Sequence, residues 1–399
     1  MSPSRALPVV VAGGGIGGIA AALALRVAGH PVMVLEKSAQ FGEIGAGIQL
    51  GPNAFHALKT LGVADEALAN AVYIDRLVMM DGVSGDEIAA IPVDEPFRRW
   101  FKNPYAVIHR ADLHASLLGR CRSDAGVQLL ANHEVAGFTQ QAGGVEVRTV
   151  SGETFQAAAL IGADGIRSRV RESLIGDGAP RISGHVCYRA VLPIEQMPES
   201  LQLNAAVLWA GPKTHFVHYP LRGWKLFNIV ATFHSTKDTA EQLNAPGSVE
   251  ELMSHFGHLP PVPRSVLERS EGWRRWVLGD RDPVANWTHG PVTLLGDAAH
   301  PTLQYFAQGA CMALEDAVCL LDELKRRPED FAGAFLSYQT KRITRTARIV
   351  LSSRAIGQYF YHPEGVERLV RNQMLGEKTP EDFYRSLDWI YGYGRDHAA

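Results

Sequence analysis

The sequence predicts an α/β composite: a discontinuous, doubly wound lobe, a β-rich sheet inserted into it, and a helical C-terminal end. Three observations predict it. The uncharged run Val9-Val10-Val11-Ala12 leads directly into Gly13-Gly14-Gly15-Ile16-Gly17-Gly18. Two further apolar runs, Ala159-Leu160-Ile161-Gly162 and Val292-Thr293-Leu294-Leu295, each end in a glycine and an acid, at Asp164 and Asp297. Between those runs, from Gly184 to about Phe233, aromatic and β-branched residues stand at strand density.

The first element reads as a parallel strand buried on both faces, because it carries no charge. Gly13 permits the tight turn after it, Gly15 lets backbone approach a pyrophosphate, and Gly18 lets the next helix pack against the strand. That helix spans roughly 17–28 and ends at Gly29, a C-cap signal. Its N-terminal amides and dipole suit a diphosphate. Pro31 to Leu35 forms the second strand, and Glu36 stands where an acid meets ribose hydroxyls. A glycine-rich turn without a ligand is the plainer alternative; the correct flanks and the placed acid argue for a dinucleotide. Ala6 to Ala28 is apolar enough to pass for a signal peptide, but its glycine spacing interrupts the helix such a segment needs.

The remaining elements follow in order. The glycine-rich loop Phe41–Gly51 precedes a helix with Pro52 near its first position. Leu77–Met80 and Glu87–Val93 read as a hairpin about Asp81-Gly82. His109-Arg110 opens a helix to about Arg122. Val127–Ala131, Val135–Gln140 and Val145–Val150 read together as a small sheet. Gln308-Gly309-Ala310 opens a long helix with Leu314, Val318, Leu321 and Leu324 on one stripe. The expected division is a discontinuous lobe of residues 1–75, 102–180 and 280–350, a β-rich lobe of 76–101 and 181–279, and a helical segment of 351–399.

Composition sets limits. A net charge of −3 gives no electrostatic reason to expect nucleic acid or an anionic membrane. No apolar run has the length and continuity of a membrane span. Cys121, Cys187, Cys311 and Cys319 form no CxxC pair, which suggests neither a disulfide framework nor a metal site and suits a reducing cytoplasm.

Gly13–Gly18 with Glu36, Gly162-Ala163-Asp164-Gly165-Ile166-Arg167-Ser168, and Gly296-Asp297-Ala298-Ala299-His300-Pro301 resemble, in order and spacing, the three signatures of single-component FAD-dependent aromatic hydroxylases. The resemblance covers essentially the whole chain. It implies a Rossmann-like, GR2-type FAD lobe. It implies that Asp297 meets the ribityl chain and that the helix at Gly309 and Ala310 faces the flavin N1–C2 edge. Asp164 is implied in FAD and NAD(P)H binding, Arg110 in contact with the FAD chain, and the Val135 backbone in contact with adenine. Read without the resemblance, Asp164 and Asp297 are as readily turn-capping acids, and Arg110 an arginine opening a helix.

The same resemblance implies NADH as electron donor, with NADPH open, docking transiently because only one GxGxxG follows a strand. It implies O2 activation as a flavin C4a-hydroperoxide and a hydroxybenzoate substrate, para-hydroxylated from the 3-hydroxy to the 2,5-dihydroxy acid. Salicylate or a hydroxylated nicotinate is the sister reading. A flavin-dependent dehydrogenase or a non-catalytic flavoprotein is the reading from another class. Relatives of this group are often dimers, so a homodimer is expected.

A phenol is activated when its proton leaves, so the site needs a proton acceptor, a carboxylate anchor and a dry pocket. Along Thr214–Leu221 the period of two puts His215, Val217 and Tyr219 on one face, with His215 and Tyr219 roughly 13 Å apart at Cα. With the family motif, His215 reads as the phenol base, suited by an ordinary pKa near neutrality. Gln304 stands where related chains carry a proline, and its amide can orient the phenol oxygen. Tyr219 reads as a carboxylate contact. Arg189 is a second candidate, ranked lower because arginines at strand edges are usually solvated.

Overall fold

The computed structural model describes residues 7–42, 45–235 and 245–395; Glu43 and Ile44 of the glycine-rich loop, and Arg5 and Ala6, lie outside them. A six-stranded sheet runs in the order Thr288–His289, Val292–Leu294, Ala159–Gly162, Val9–Ala12, Val32–Leu35 and Val127–Leu130. Its pairs are parallel except the outermost one at Thr288–His289. All three glycine-ended runs therefore finish at the same edge, where open α/β sheets bind ligands. The strand at Val127 belongs here, beside Val32–Leu35. It is not part of the small sheet, as the sequence suggested. That sheet is Val135–Gln141, Gly144–Thr149 and Thr154–Ala157. A short, partly buried strand carries no periodic signal of which sheet will accept it.

Helix Ile16–Val27 covers the first strand with an almost wholly buried run of Ile, Ala and Leu. The approach is close enough to demand glycine: a Cβ on Gly18 would lie 2.0 Å from the Gly13 carbonyl oxygen. Gly13 itself has φ +104°, and a Cβ there would lie 2.4 Å from the Ala163 oxygen. These two positions bind the turn, the helix and the neighbouring strand into one rigid corner.

An eight-stranded sheet forms the other half, in the order Ala245–Pro246, Arg274–Asp280, Arg181–Pro193, Leu226–His234, Thr214–Leu221, Ala205–Gly211, Arg76–Asp81 and Glu87–Pro92. It has its own core, with Phe216, Phe227, Phe233, Phe256 and Trp273. Its other face carries Tyr219, Val217 and Ala206 toward the lobe built on the six-stranded sheet. Helix Phe331–Ile356 runs unbroken across residue 350. It continues through a π-helical turn, Gly357–Tyr361, into helices Gly365–Gly376 and Pro380–Tyr391. The last helix starts with a Thr379/Asp382 capping box and packs Tyr384 and Tyr391 against Phe97 and Phe101. Among the described residues no helix is long and apolar enough to cross a membrane.

Candidate active site

A cavity of about 890 Å³ lies between the two large sheets. One end is lined by Gly15 and Gly17, at the N-terminus of helix Ile16–Val27, and by Arg110, Ala163, Gly165 and Asp297. Gly309 and Ala310 open the 18-residue helix Gly309–Arg326 onto its middle, so that unpaired first-turn amides and a partial positive charge face the cavity. The other end is lined by His215, Val217, Tyr219, Arg189 and Gln304. The period-two reading of Thr214–Leu221 matches this: Phe216 packs into the opposite core, and His218 accepts from Trp209 Nε1 at 3.2 Å.

Gly13, Gly18, Glu36, Asp164 and Val135 do not line the cavity. Glu36 accepts from the Gly14 amide at 2.7 Å and the Ser38 amide at 2.8 Å, which clamps the glycine turn to the second strand. Asp164 accepts from Ser168 Oγ at 2.5 Å and from the amides of Arg169 and Val170. Its side chain thus caps helix Arg169–Leu174, and it is its neighbours Ala163 and Gly165 that reach the cavity. Val135 is buried at the start of the small sheet, paired with Thr149.

At this second end Arg189, Gln304, Thr232 and His215 form one connected set. The Arg189 guanidinium donates to Gln304 Oε1 at 2.9 Å and lies over the Trp276 ring. Its strand is an interior one, between Arg274–Asp280 and Leu226–His234, so the solvated strand-edge position expected for it is not what the sheet provides. Gln304 Nε2 donates to Thr232 Oγ1 at 2.8 Å and stands 3.4 Å from His215 Nε2. Tyr219 is buried, and burial raises its phenol pKa. Gly47 allows the glycine-rich loop to seat there: a Cβ would meet the Tyr219 ring at 2.5 Å, and the Gly47 amide donates to Asn228 Oδ1 at 2.7 Å.

His215 departs from the near-neutral pKa expected of it. Only 2% exposed, it is pushed down to about 3 by burial and then by His185 and His234. Its Nδ1 lies 2.7 Å from His362 Nε2, and His362 Nδ1 lies 2.9 Å from His234 Nε2. His185 stacks on His234 and shares a 2.5 Å hydrogen bond with the Tyr305 hydroxyl. No carboxylate hydrogen-bonds any of these four rings among the described residues, so they are held neutral.

Behind Asp297 the chemistry is opposite. His300 Nε2 lies 2.6 Å from Asp316, which also accepts from the Gly296 amide and from Arg342 at 2.6 Å. Burial alone would raise the Asp316 carboxyl, but His300 and Arg342 hold it at about 2. Arg342 and Arg345 both bind Glu315, and Asn53 links Glu315 to Gln308 at the helix start. Arg171 donates to the carbonyls of Ala298 and Ala299. This lattice fixes the turn that presents Asp297 and Gly309.

Sequence reasoning missed Tyr105, Tyr361 and Tyr391, which line the cavity, and His362 behind His215. Tyr361 and Tyr391 come from the C-terminal segment and Tyr105 from a loop. No spacing signal connects any of them to the strands they meet.

A glycine-cornered nucleotide sheet joined through one cavity to a second sheet defines the class as a flavin-type two-lobe fold. The chain belongs to the family described as FAD binding domain, which matches residues 6–353. It is 52% identical to the 3-hydroxybenzoate 6-hydroxylase of Polaromonas naphthalenivorans strain CJ2, over 97% of this chain and 96% of that protein. It is 49% identical to the 3-hydroxybenzoate 6-hydroxylase of Klebsiella oxytoca, over 99% and 98%. The fold is shared with Klebsiella pneumoniae HpxO complexed with FAD and uric acid, at a TM-score of 0.85 and 24% identity over 97% of each chain.

Proposed function

We propose that this chain is an FAD-dependent aromatic-ring monooxygenase that converts 3-hydroxybenzoate, NADH, a proton and O2 to 2,5-dihydroxybenzoate, NAD+ and water. The observation that carries the reading is one cavity shared by both sheets, with a helix N-terminus at one wall and His215, Gln304, Arg189 and Tyr219 at the other. The two relatives named 3-hydroxybenzoate 6-hydroxylase support the substrate.

The residues fit FAD. Gly13 and Gly18 let the turn and helix close against backbone where any Cβ would clash, and Gly15, Gly17, Asp297, Gly309 and Ala310 line the cavity wall that this corner presents. We take residues 1–75, 102–180 and 280–350 as the lobe that holds it, and 76–101 with 181–279 as the substrate lobe. FAD, when bound and reduced, supplies the activation of O2 for oxygen transfer to the ring. Arg110 and Asp297 are the groups proposed to hold its chain.

The other steps belong to the protein. The phenol proton passes to His215 Nε2. Burial keeps that ring neutral, with a lone pair to accept, at the expense of basicity; the negative charge developing on the phenol oxygen beside it offsets part of that loss during transfer. Gln304, fixed by Arg189 and Thr232, directs its amide at the phenol oxygen. Tyr219 and Arg189 anchor the carboxylate, so the ring is presented with a chosen carbon toward the flavin side. The apolar lining, including Val217, Leu208 and Ala206, keeps water away from the reacting centre.

The test is NADH oxidation and O2 uptake by the purified yellow protein with 3-hydroxybenzoate, salicylate, 4-hydroxybenzoate and 6-hydroxynicotinate, with products identified by chromatography. Stoichiometric 2,5-dihydroxybenzoate from 3-hydroxybenzoate is expected. Catechol from salicylate would overturn the assignment around Gln304, and NADH oxidation without O2 incorporation would overturn the monooxygenase.

A further inference from the structure

The three imidazoles behind His215 have a geometry that the hydroxylation reaction does not require. His185 and His234 sit directly opposite each other on adjacent antiparallel strands, with rings stacked at 4.3 Å. His362 enters from the C-terminal segment just after the π-helical turn, and its Nδ1 faces His234 Nε2 at 2.9 Å. One ligand nitrogen from each ring lies within 4.8 Å of the other two. These residues are far apart in sequence, which is why no spacing pattern announced them.

We propose that His185, His234 and His362 form a binding site for a divalent ion of the zinc class, separate from the flavin and substrate positions. Three neutral nitrogen donors without a carboxylate suit Zn2+, Co2+, Ni2+ or Cu2+ and not Mg2+ or Ca2+, which require oxygen. The outer partners are also in place. The Tyr305 hydroxyl holds His185, and His215 Nδ1 holds His362 Nε2 at 2.7 Å, the kind of support that orients metal-binding imidazoles. Two ligands stand on paired interior strands, so the site is largely preformed.

A consequence follows for His215, and this part rests on the proposed role of that ring. In the metal-free protein we assign the hydrogen of His215 to Nδ1, facing His362 Nε2, which leaves His215 Nε2 as the acceptor 3.4 Å from the Gln304 amide. A metal on His362 Nδ1 leaves the hydrogen of that ring on Nε2, where it donates to His215 Nδ1. The hydrogen of neutral His215 then stands on Nε2, and the acceptor has become a donor. Metal binding at this site therefore switches hydroxylation off without displacing flavin or substrate.

The experiment uses the holoenzyme after treatment with a chelator. Co2+ is titrated in while absorption is followed at wavelengths beyond those of the oxidised flavin, with Zn2+ binding measured by calorimetry. One equivalent is expected, with at least a tenfold loss of affinity in H185Q/H234Q. Neither substituted residue lines the cavity, and the variant's flavin spectrum reports its fold. Absence of a stoichiometric site in the wild-type protein, or equal affinity in the variant, overturns the site. Zn2+ is further expected to slow 3-hydroxybenzoate-stimulated NADH oxidation at least tenfold in the wild-type protein and to leave the variant unaffected. Zn2+ that binds without slowing turnover overturns the coupling to His215 while leaving the site. A protein without turnover on any hydroxyaromatic would remove the proposed reaction, and the binding measurement would still decide the site.

Discussion

His300 and His215 are both nearly inaccessible, at 5% and 2% exposure, yet their surroundings are opposite. His300 sits against a lattice of carboxylates and guanidiniums, hydrogen-bonded to Asp316, which is paired in turn with Arg342. His215 meets a glutamine amide, the His362 imidazole and two tyrosine rings. The first environment fixes a shape, because each charge is held by the next. The second holds a group neutral and so available to take a proton. The same residue type thus serves as a pillar on one side and, in the proposed reaction, as the proton acceptor on the other, and the nearest carboxylate separates the two.

The comparison is tested most severely by removing the cation at the centre of the lattice. Arg342→Met leaves Glu315 and Asp316 buried with part of their compensation gone, and is expected to cost about 3–5 kcal/mol of stability. Denaturant unfolding with flavin release followed by fluorescence measures it; a loss under about 1 kcal/mol would show that the lattice is not what fixes this side. His215→Ala reverses the pattern. It is expected to fold and to keep FAD, while hydroxylation falls about 10²–10⁴-fold and peroxide escapes during residual NADH oxidation. Unchanged coupled turnover would remove His215 from the proposed reaction.

What the sequence displayed of these two sides was unequal for a physical reason. The flavin side rests on local chemistry: a strand, a turn that only glycine can make, and a helix within twenty or so residues. Gly13, Gly15, Gly18 and the strand ends were readable because backbone geometry dictates them. Period two along Thr214–Leu221 likewise revealed which face His215 and Tyr219 share. Partnerships across long separations were not readable. Nothing in the sequence pairs His362 with His215, tells that Arg189 stands in an interior strand, or shows that the Asp164 carboxylate turns inward to cap a helix. The strand at Val127 went to the wrong sheet for the same reason, since pairing partners are a tertiary outcome.

Acidification should separate the sides without any mutation. His215 and His218 have pKa values lowered to about 3 from 6.5, so the unfolded chain binds their protons first. Their contribution to stability is present above pH 6.5 and is lost as pH falls toward 3, by up to roughly 1.4 kcal/mol per group for each unit. Asp316, lowered from 3.8 to about 2, has its contribution intact above pH 4 and loses it only toward pH 2. Stability measured by urea unfolding is therefore expected to decline between pH 6.5 and 4, through the histidines. A flat profile over that range would contradict their neutral burial. Gln304→Ala sits lower on the scale: it removes one oriented amide and is expected to cost about 1–2 kcal/mol in kcat/KM, with FAD affinity unchanged.

The smallest effect is expected where a charge pair does stand beside the imidazoles. Lys213 and Glu364 meet at 3.0 Å with more than half of each side chain exposed, and both act on the charge balance at His234. Exposed pairs of this kind contribute about 0–1 kcal/mol, because water screens them and two long side chains must be ordered. Glu364→Gln should therefore change stability by less than about 1 kcal/mol and leave turnover within about twofold. The contrast with Arg342→Met is the measurement of interest, since both substitutions remove ion pairing near a histidine: two buried pairs in one case, one exposed pair in the other. If Glu364→Gln proved as damaging as Arg342→Met, the imidazole side would be held by charge as well. The distinction between a pillar histidine and an available one would then have to rest on something other than the nearest carboxylate.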